Sequence, residues 1–155
     1  MATQVRSYDE THCALAFPLG GIGTGNVSLG ARGELRDWEI FNAPGKGKFL
    51  PNTFFAIRIK APNEAPVLRL LEAQLQAPHI QPLGYHPSQN SGLPRFAHST
   101  FTGEYPFARV ALSDPSLPVR VELEAFTPLI PLEPEDSGIP CASLNYSVTN
   151  TSDQP

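Results

Sequence analysis

Val119-Arg120-Val121-Glu122-Leu123-Glu124-Ala125-Phe126 alternates apolar and polar residues almost without a break. Successive side chains of a strand point to opposite faces, so this run predicts a half-buried strand with Val119, Val121, Leu123 and Ala125 turned inward. Ala142, Leu144, Tyr146 and Val148 alternate with polar neighbours in the same manner. Upstream, residues 53–61 predict a strand with Phe55, Ile57 and Ile59 inward, and residues 67–71 and 107–112 predict two more. Gly30-Ala31-Arg32-Gly33 separates residues 27–29 from residues 34–41, the pattern of a hairpin closed by a glycine-supported turn. No convincing helix pattern is present. About seven short strands separated by Pro/Gly loops imply an all-β fold, an antiparallel β-sandwich.

Composition supports that class. Seventeen prolines in 155 residues suit short strands and turns better than helices. The stretch 79–94, rich in Pro, Ser, Asn and Gly, reads as a long surface loop. Asn150-Thr151-Ser152-Asp153-Gln154-Pro155 is turn chemistry directly after a strong strand, so the sandwich is expected to be incomplete in this chain. Residues 1–11 are expected to be a flexible amino terminus and residues 12–155 the sandwich domain.

Charge and targeting signals narrow the function classes. A net charge of −4 argues against nucleic acid and against anionic membranes as partners. The amino terminus has no apolar signal-peptide core, and no apolar run reaches the ~20 residues of a spanning helix. The expected location is cytoplasmic, with no transmembrane segment. Cys13 and Cys141 read as separate reduced thiols, a disulfide being the alternative.

The candidate functional segment is Pro18-Leu19-Gly20-Gly21-Ile22-Gly23-Thr24-Gly25. It lacks the third glycine of a dinucleotide fingerprint and the Gly-Lys-Ser/Thr of a phosphate loop, so no nucleotide cofactor is implied. Gly20, Gly21, Gly23 and Gly25, with Thr24, permit positive φ and close backbone approach. Two readings stand side by side: a tightly packed strand entrance, or a loop pressed against a ligand or a second domain. Glu34, Asp37 and Glu39 alternate with Arg36 and Trp38 and read as a solvated or salt-bridged face. Glu133, Glu135 and Asp136 read as solvated turn charges. The histidines His12, His79, His86 and His98 show no metal-ligand spacing, so neither a metal nor another cofactor is expected.

Two blocks carry a family resemblance. The first is Phe17-Pro18-Leu19-Gly20-Gly21-Ile22-Gly23-Thr24-Gly25 followed by Gly30-Ala31-Arg32-Gly33-Glu34-Leu35-Arg36-Asp37-Trp38-Glu39-Ile40. The second runs from Tyr105-Pro106 through the strand at 119–126 to Thr127-Pro128-Leu129-Ile130-Pro131, and then Glu135-Asp136-Ser137-Gly138-Ile139-Pro140 and a strand ending at Asn150. In order and spacing they resemble the amino-terminal domain of glycoside hydrolase family 116, which includes β-glucosidases and non-lysosomal glucosylceramidases. The resemblance implies a β-sandwich packed on a larger (α/α)6 barrel, which carries a glutamate nucleophile and an aspartate acid/base. Such a retaining pair sits roughly 5–5.5 Å apart. No position of this sequence matches the pair, and no barrel sequence is present, so no catalytic residue is assigned here. The implied partners are the barrel domain of the same parent protein and a glucoside or glycolipid substrate. The alternative is an independent carbohydrate-binding or protein-interaction sandwich. Trp38, the single tryptophan, is a poor start for a sugar-stacking face of that kind.

Overall fold

The computed structural model describes residues 5–62, 64–77 and 89–153. Among the described residues, eleven strands and one α-helical turn follow in the order β1 (Ser7–Asp9), β2 (Phe17–Leu19), β3 (Asn26–Leu29), β4 (Leu35–Glu39), β5 (Ala56–Ile59), β6 (Val67–Ala73), β7 (Arg95–Phe96), β8 (His98–Glu104), β9 (Phe107–Ser113), β10 (Val119–Phe126), α1 (Pro134–Ser137) and β11 (Ser143–Asn150). They form a five-stranded sheet, β1-β8-β9-β10-β11, and two three-stranded sheets, β2-β3-β4 and β5-β6-β7. Every pairing is antiparallel except β6 with β7. The chain is an all-β, incomplete sandwich, as the alternation of its apolar residues predicts.

The five-stranded sheet supplies the main wall of the core. Val121, Leu123 and Ala125 of β10 are at most 1% exposed, while Arg120 and Glu122 face out. Register then carries the pattern sideways: Val121 faces Leu112, Leu123 faces Val110 and Ala125 faces Ala108 on β9. Directly opposed residues share a face, so one correct alternation aligns its neighbours. Leu29 and Leu19 from the second sheet and Phe96 and Ala73 from the third close the same core. Fully burying a side chain such as Leu123 contributes about 1.5–3 kcal/mol.

Four strands escape the sequence reading. β1 lies within the stretch expected to be a flexible terminus, yet Ser7–Asp9 pair with Thr100–Thr102 of β8. β8 itself, His98-Ser99-Thr100-Phe101-Thr102-Gly103-Glu104, alternates correctly, but its inward residues Ser99 and Phe101 include only one large hydrophobe. β2 and β7 have three and two residues, too short for a period to register. The helix-free expectation is corrected by α1, a single turn opened by Pro134, a residue well suited to a first helical position. Of the stretch read as a surface loop, residues 79–88 lie outside the described residues, as do His79 and His86. Gln89, at its end, is buried. Phe55, expected inward, is 45% exposed and leans on Tyr146 with ring centroids 5.2 Å apart.

The hairpin β3–β4 forms as expected, with Leu29 opposite Leu35. Of the solvated or salt-bridged face expected for its acidic residues, the salt-bridged reading holds, with Glu34, Asp37 and Glu39 paired to Arg32, Arg36 and Lys46, but Glu34 and Asp37 are buried, at 4% and 2% exposed. Glu34 Oε1 pairs with Arg32 Nη2 at 3.2 Å, and Arg95 Nε pairs with Glu72 Oε2 at 3.1 Å. Arg32 Nη1 approaches the same Glu72 oxygen at 3.9 Å, linking the two pairs. Burial pushes the Glu72 carboxyl up, against the pull of Arg95 and Arg32. Arg95 also donates to the carbonyls of Gln89, Asn90 and Leu93. This network adds a charged link between the two small sheets to the apolar core they share, a link that linear spacing could not reveal.

Candidate functional site

The glycine segment spans the connection from β2 to β3. The Gly20 N–H donates to Thr127 Oγ1 at 2.8 Å, and Thr127 is 1% exposed. The Ile22 N–H donates to the Ser137 carbonyl at 2.9 Å, and Thr24 N–H closes a turn onto Gly21 O at 3.2 Å. The loop is thereby fastened to the segment after β10 and to α1. At Gly21, a Cβ would stand 2.5 Å from both Gly138 O and Ile139 O, so only glycine lets the two backbones meet. Gly23 differs. Its φ is +74°, but a Cβ there would meet nothing within 4 Å. Packing explains the first glycine, and an open surface surrounds the second. The tightly packed strand entrance therefore describes the Gly21 end of the segment.

Above the loop lies a cleft of about 670 Å³, lined by residues 18–26, Glu39, the turn 41–44 and Tyr105. All five candidate residues, Gly20, Gly21, Gly23, Thr24 and Gly25, line it. Glu39 is its sole acidic lining residue. Lys46 Nζ at 2.8 Å, the Gly45 N–H at 3.3 Å and Asn26 Nδ2 at 3.3 Å all donate to its carboxylate. The Lys46 bond is the main reason its carboxyl sits below the usual range. An ionised, fully engaged carboxylate is a poor proton donor, and this cleft offers no second one to work with it.

The surroundings are apolar and conspicuously exposed. Phe41 is 94% exposed with φ 56°, and Leu132 is 98% exposed with φ 71°. Bulky residues in the left-handed region cost about 1–2 kcal/mol each, and here the strain holds large hydrophobes out in water. Ile22, Tyr105 and Ile139 are each at least half exposed. Phe41, Tyr105 and Ile22 belong to the cleft lining; Leu132 and Ile139 flank α1, to which the loop is bonded. Sequence reasoning did not single out Phe41 or Leu132. The available signal was a lone large hydrophobe beside turn formers: Phe41-Asn42-Ala43-Pro44, and Leu132 between Pro131 and Glu133-Pro134.

Other candidates are quieter. Cys13 and Cys141 are free thiols. Among the described residues, no group of three His, Cys, Asp or Glu side chains could hold a metal ion. No helix of the described residues is long and apolar enough to cross a membrane. Trp38 is half-buried, with its Nε1 shielded from solvent and without a hydrogen-bond partner among the described residues.

The largely antiparallel all-β scaffold, with a cleft along its glycine loop, one engaged carboxylate and an exposed apolar surround, defines a β-sandwich domain. The family comparison is more particular: residues 16–155 match the family described as "beta-glucosidase 2, glycosyl-hydrolase family 116 N-term". The chain belongs to this family of amino-terminal domains, and membership implies a catalytic domain in the parent protein. No curated protein matched the chain.

Proposed function

We propose that this chain is the non-catalytic amino-terminal sandwich of a β-glucosidase or glucosylceramidase, seating its glycine-loop face against the catalytic barrel and lining the aglycone entrance. The parent acts on β-glucosides, glucosylceramide-like glycolipids among them, in the cytoplasm. The observation that carries this reading is the pair Phe41 and Leu132, strained and almost wholly exposed, the first in the cleft lining and the second just before α1, to which the loop is bonded. Exposed apolar surface of this kind marks an interaction site. Glu39, engaged by three donors, supports a supporting rather than a chemical role for the cleft. A free-standing sugar-binding module gains no support from Trp38, whose half-buried indole offers no open platform.

The test uses the full-length parent. Gly23→Asn keeps a residue that tolerates the left-handed region and projects its side chain into open space. Activity on an aryl β-glucoside should fall while the melting temperature holds. Unchanged kinetics in a normally folded parent would reject the placement of this loop at the entrance. Measurable turnover by the isolated domain, surviving repurification, would reject the non-catalytic role.

A further inference from the structure

The outward face of the five-stranded sheet carries a hollow of about 420 Å³. The volume lies within the roughly 300–1,000 Å³ of small-ligand sites. Register sets its rows. Thr102 of β8, Arg109 of β9, Glu124 of β10 and Asn145 of β11 stand side by side, and the next row holds Thr100, Ala111, Glu122 and Ser147. Neighbouring strands lie about 4.8 Å apart, so each row runs roughly 14 Å across the sheet. Ala111 makes the hollow, because its methyl is flanked by the longer Glu122 across the strands and Arg109 along its own.

The lining is rich in hydrogen-bonding groups and nearly balanced in charge. Arg109 Nη2 and Nε both donate to Glu124 Oε2, at 2.7 and 2.9 Å, so guanidinium and carboxylate answer each other. Among the described residues, Glu122 is the one further ionisable side chain in the lining. The hydroxyls of Thr100, Thr102 and Ser147 and the amide of Asn145 can each donate and accept. With no cation outside the Arg109–Glu124 pair, the hollow does not suit phosphate or sulfate. Its polar rows do not suit an alkyl chain, which would strip them of water without replacing their hydrogen bonds. One row further on, Phe126 stands beside Phe107 on the same face, ring centroids 5.4 Å apart, with Phe107 40% exposed. A sugar presents the matching mixture: uncharged hydroxyls that donate and accept, around ring faces of apolar C–H groups that stack on aromatic rings. We propose that this hollow is a binding site for a neutral carbohydrate, held by Thr102, Asn145 and the Arg109–Glu124 pair, with a ring against Phe107. The site shares no lining residue with the glycine-loop cleft and makes no use of Trp38.

The experiment is native electrophoresis of the 155-residue chain through gels containing a soluble neutral β-glucan. The expected result is retardation that grows with glucan concentration and is relieved by free glucose oligomers. Ala111→Gln, which fills the hollow from the outward face and leaves the core alone, should lose most of the retardation at an unchanged melting temperature. Asn145→Ala should lose part of it, and Gly23→Asn should lose none. A chain that migrates alike with and without the glucan overturns the proposal, as does retardation that survives Ala111→Gln. Equal retardation by a carboxymethylated glucan also overturns it, because Glu122 should repel the polyanion. If Ala111→Gln does not fold, Asn145→Ala combined with Ser147→Ala decides in its place. These outcomes do not depend on the role proposed for the glycine loop.

Discussion

Thr127 Oγ1 accepts the Gly20 N–H at 2.8 Å across 107 residues, joining the start of the glycine loop to the residue that follows β10. Few contacts position the loop, and this one is inside the protein. Its strength should therefore be measurable.

Thr127→Val keeps the shape but leaves the Gly20 N–H without its acceptor. A buried unsatisfied donor costs about 1–3 kcal/mol. The urea midpoint of the domain should fall accordingly, and Thr127→Ser, which restores the hydroxyl, should recover most of the loss. Equal midpoints for Val and Thr would mean that water or another group satisfies the amide.

Gly21 and Gly23 should respond differently although they are two residues apart. Gly21→Ala forces a methyl to within 2.5 Å of the Gly138 and Ile139 carbonyls, and the loop must part from α1. Gly23→Ala meets no atom and pays only for its positive φ, about 1–2 kcal/mol. Thermal melts should rank the Gly21 variant as the less stable. The reverse order would contradict the packing described for the loop.

Arg95 is the hub of the buried charge network. Arg95→Leu leaves Glu72 with only the more distant Arg32, and releases the Gln89, Asn90 and Leu93 carbonyls. Breaking one side of a buried ion pair typically costs about 3–5 kcal/mol. Denaturant unfolding should show a loss of that order, well above the loss from removing the exposed Arg109–Glu124 pair.

Glu10 couples β1 to pH. Burial alone would raise its carboxyl, but the Ser99 N–H at 2.9 Å and the His98 ring at 3.1 Å outweigh it and hold it below the usual range. A pKa lowered in the folded state stabilises the fold above the ordinary glutamate value of about 4.3 and loses that contribution as pH falls through the folded value. Exchange of the β1 amides should quicken in acid before the rest of the sheet. Glu10→Gln should loosen β1 at neutral pH and flatten the dependence.

The sheet at the heart of the molecule was legible in the sequence because alternation is a local property. Residues 119–126 announce their inward face without reference to any partner, and the same holds for the hairpin read from residues 27–29 and 34–41. β8 was hidden because its face is made from Ser99 and Phe101 and finds apolar company only across the sheet. The ion partners of Glu34 and Asp37, Arg32 and Arg36, are near in sequence, but their burial was hidden because the segment that covers the turn at Arg32 and Gly33, residues 71–73 of β6, lies far along the chain. Phe41 and Leu132 look like ordinary loop hydrophobes until their backbone angles and exposure are known. Periodicity determined the fold class and the family motif determined kinship, since both are written in neighbouring residues. Which carboxylate is buried and which glycine is confined depend on contacts between distant segments, and tertiary structure alone decided them.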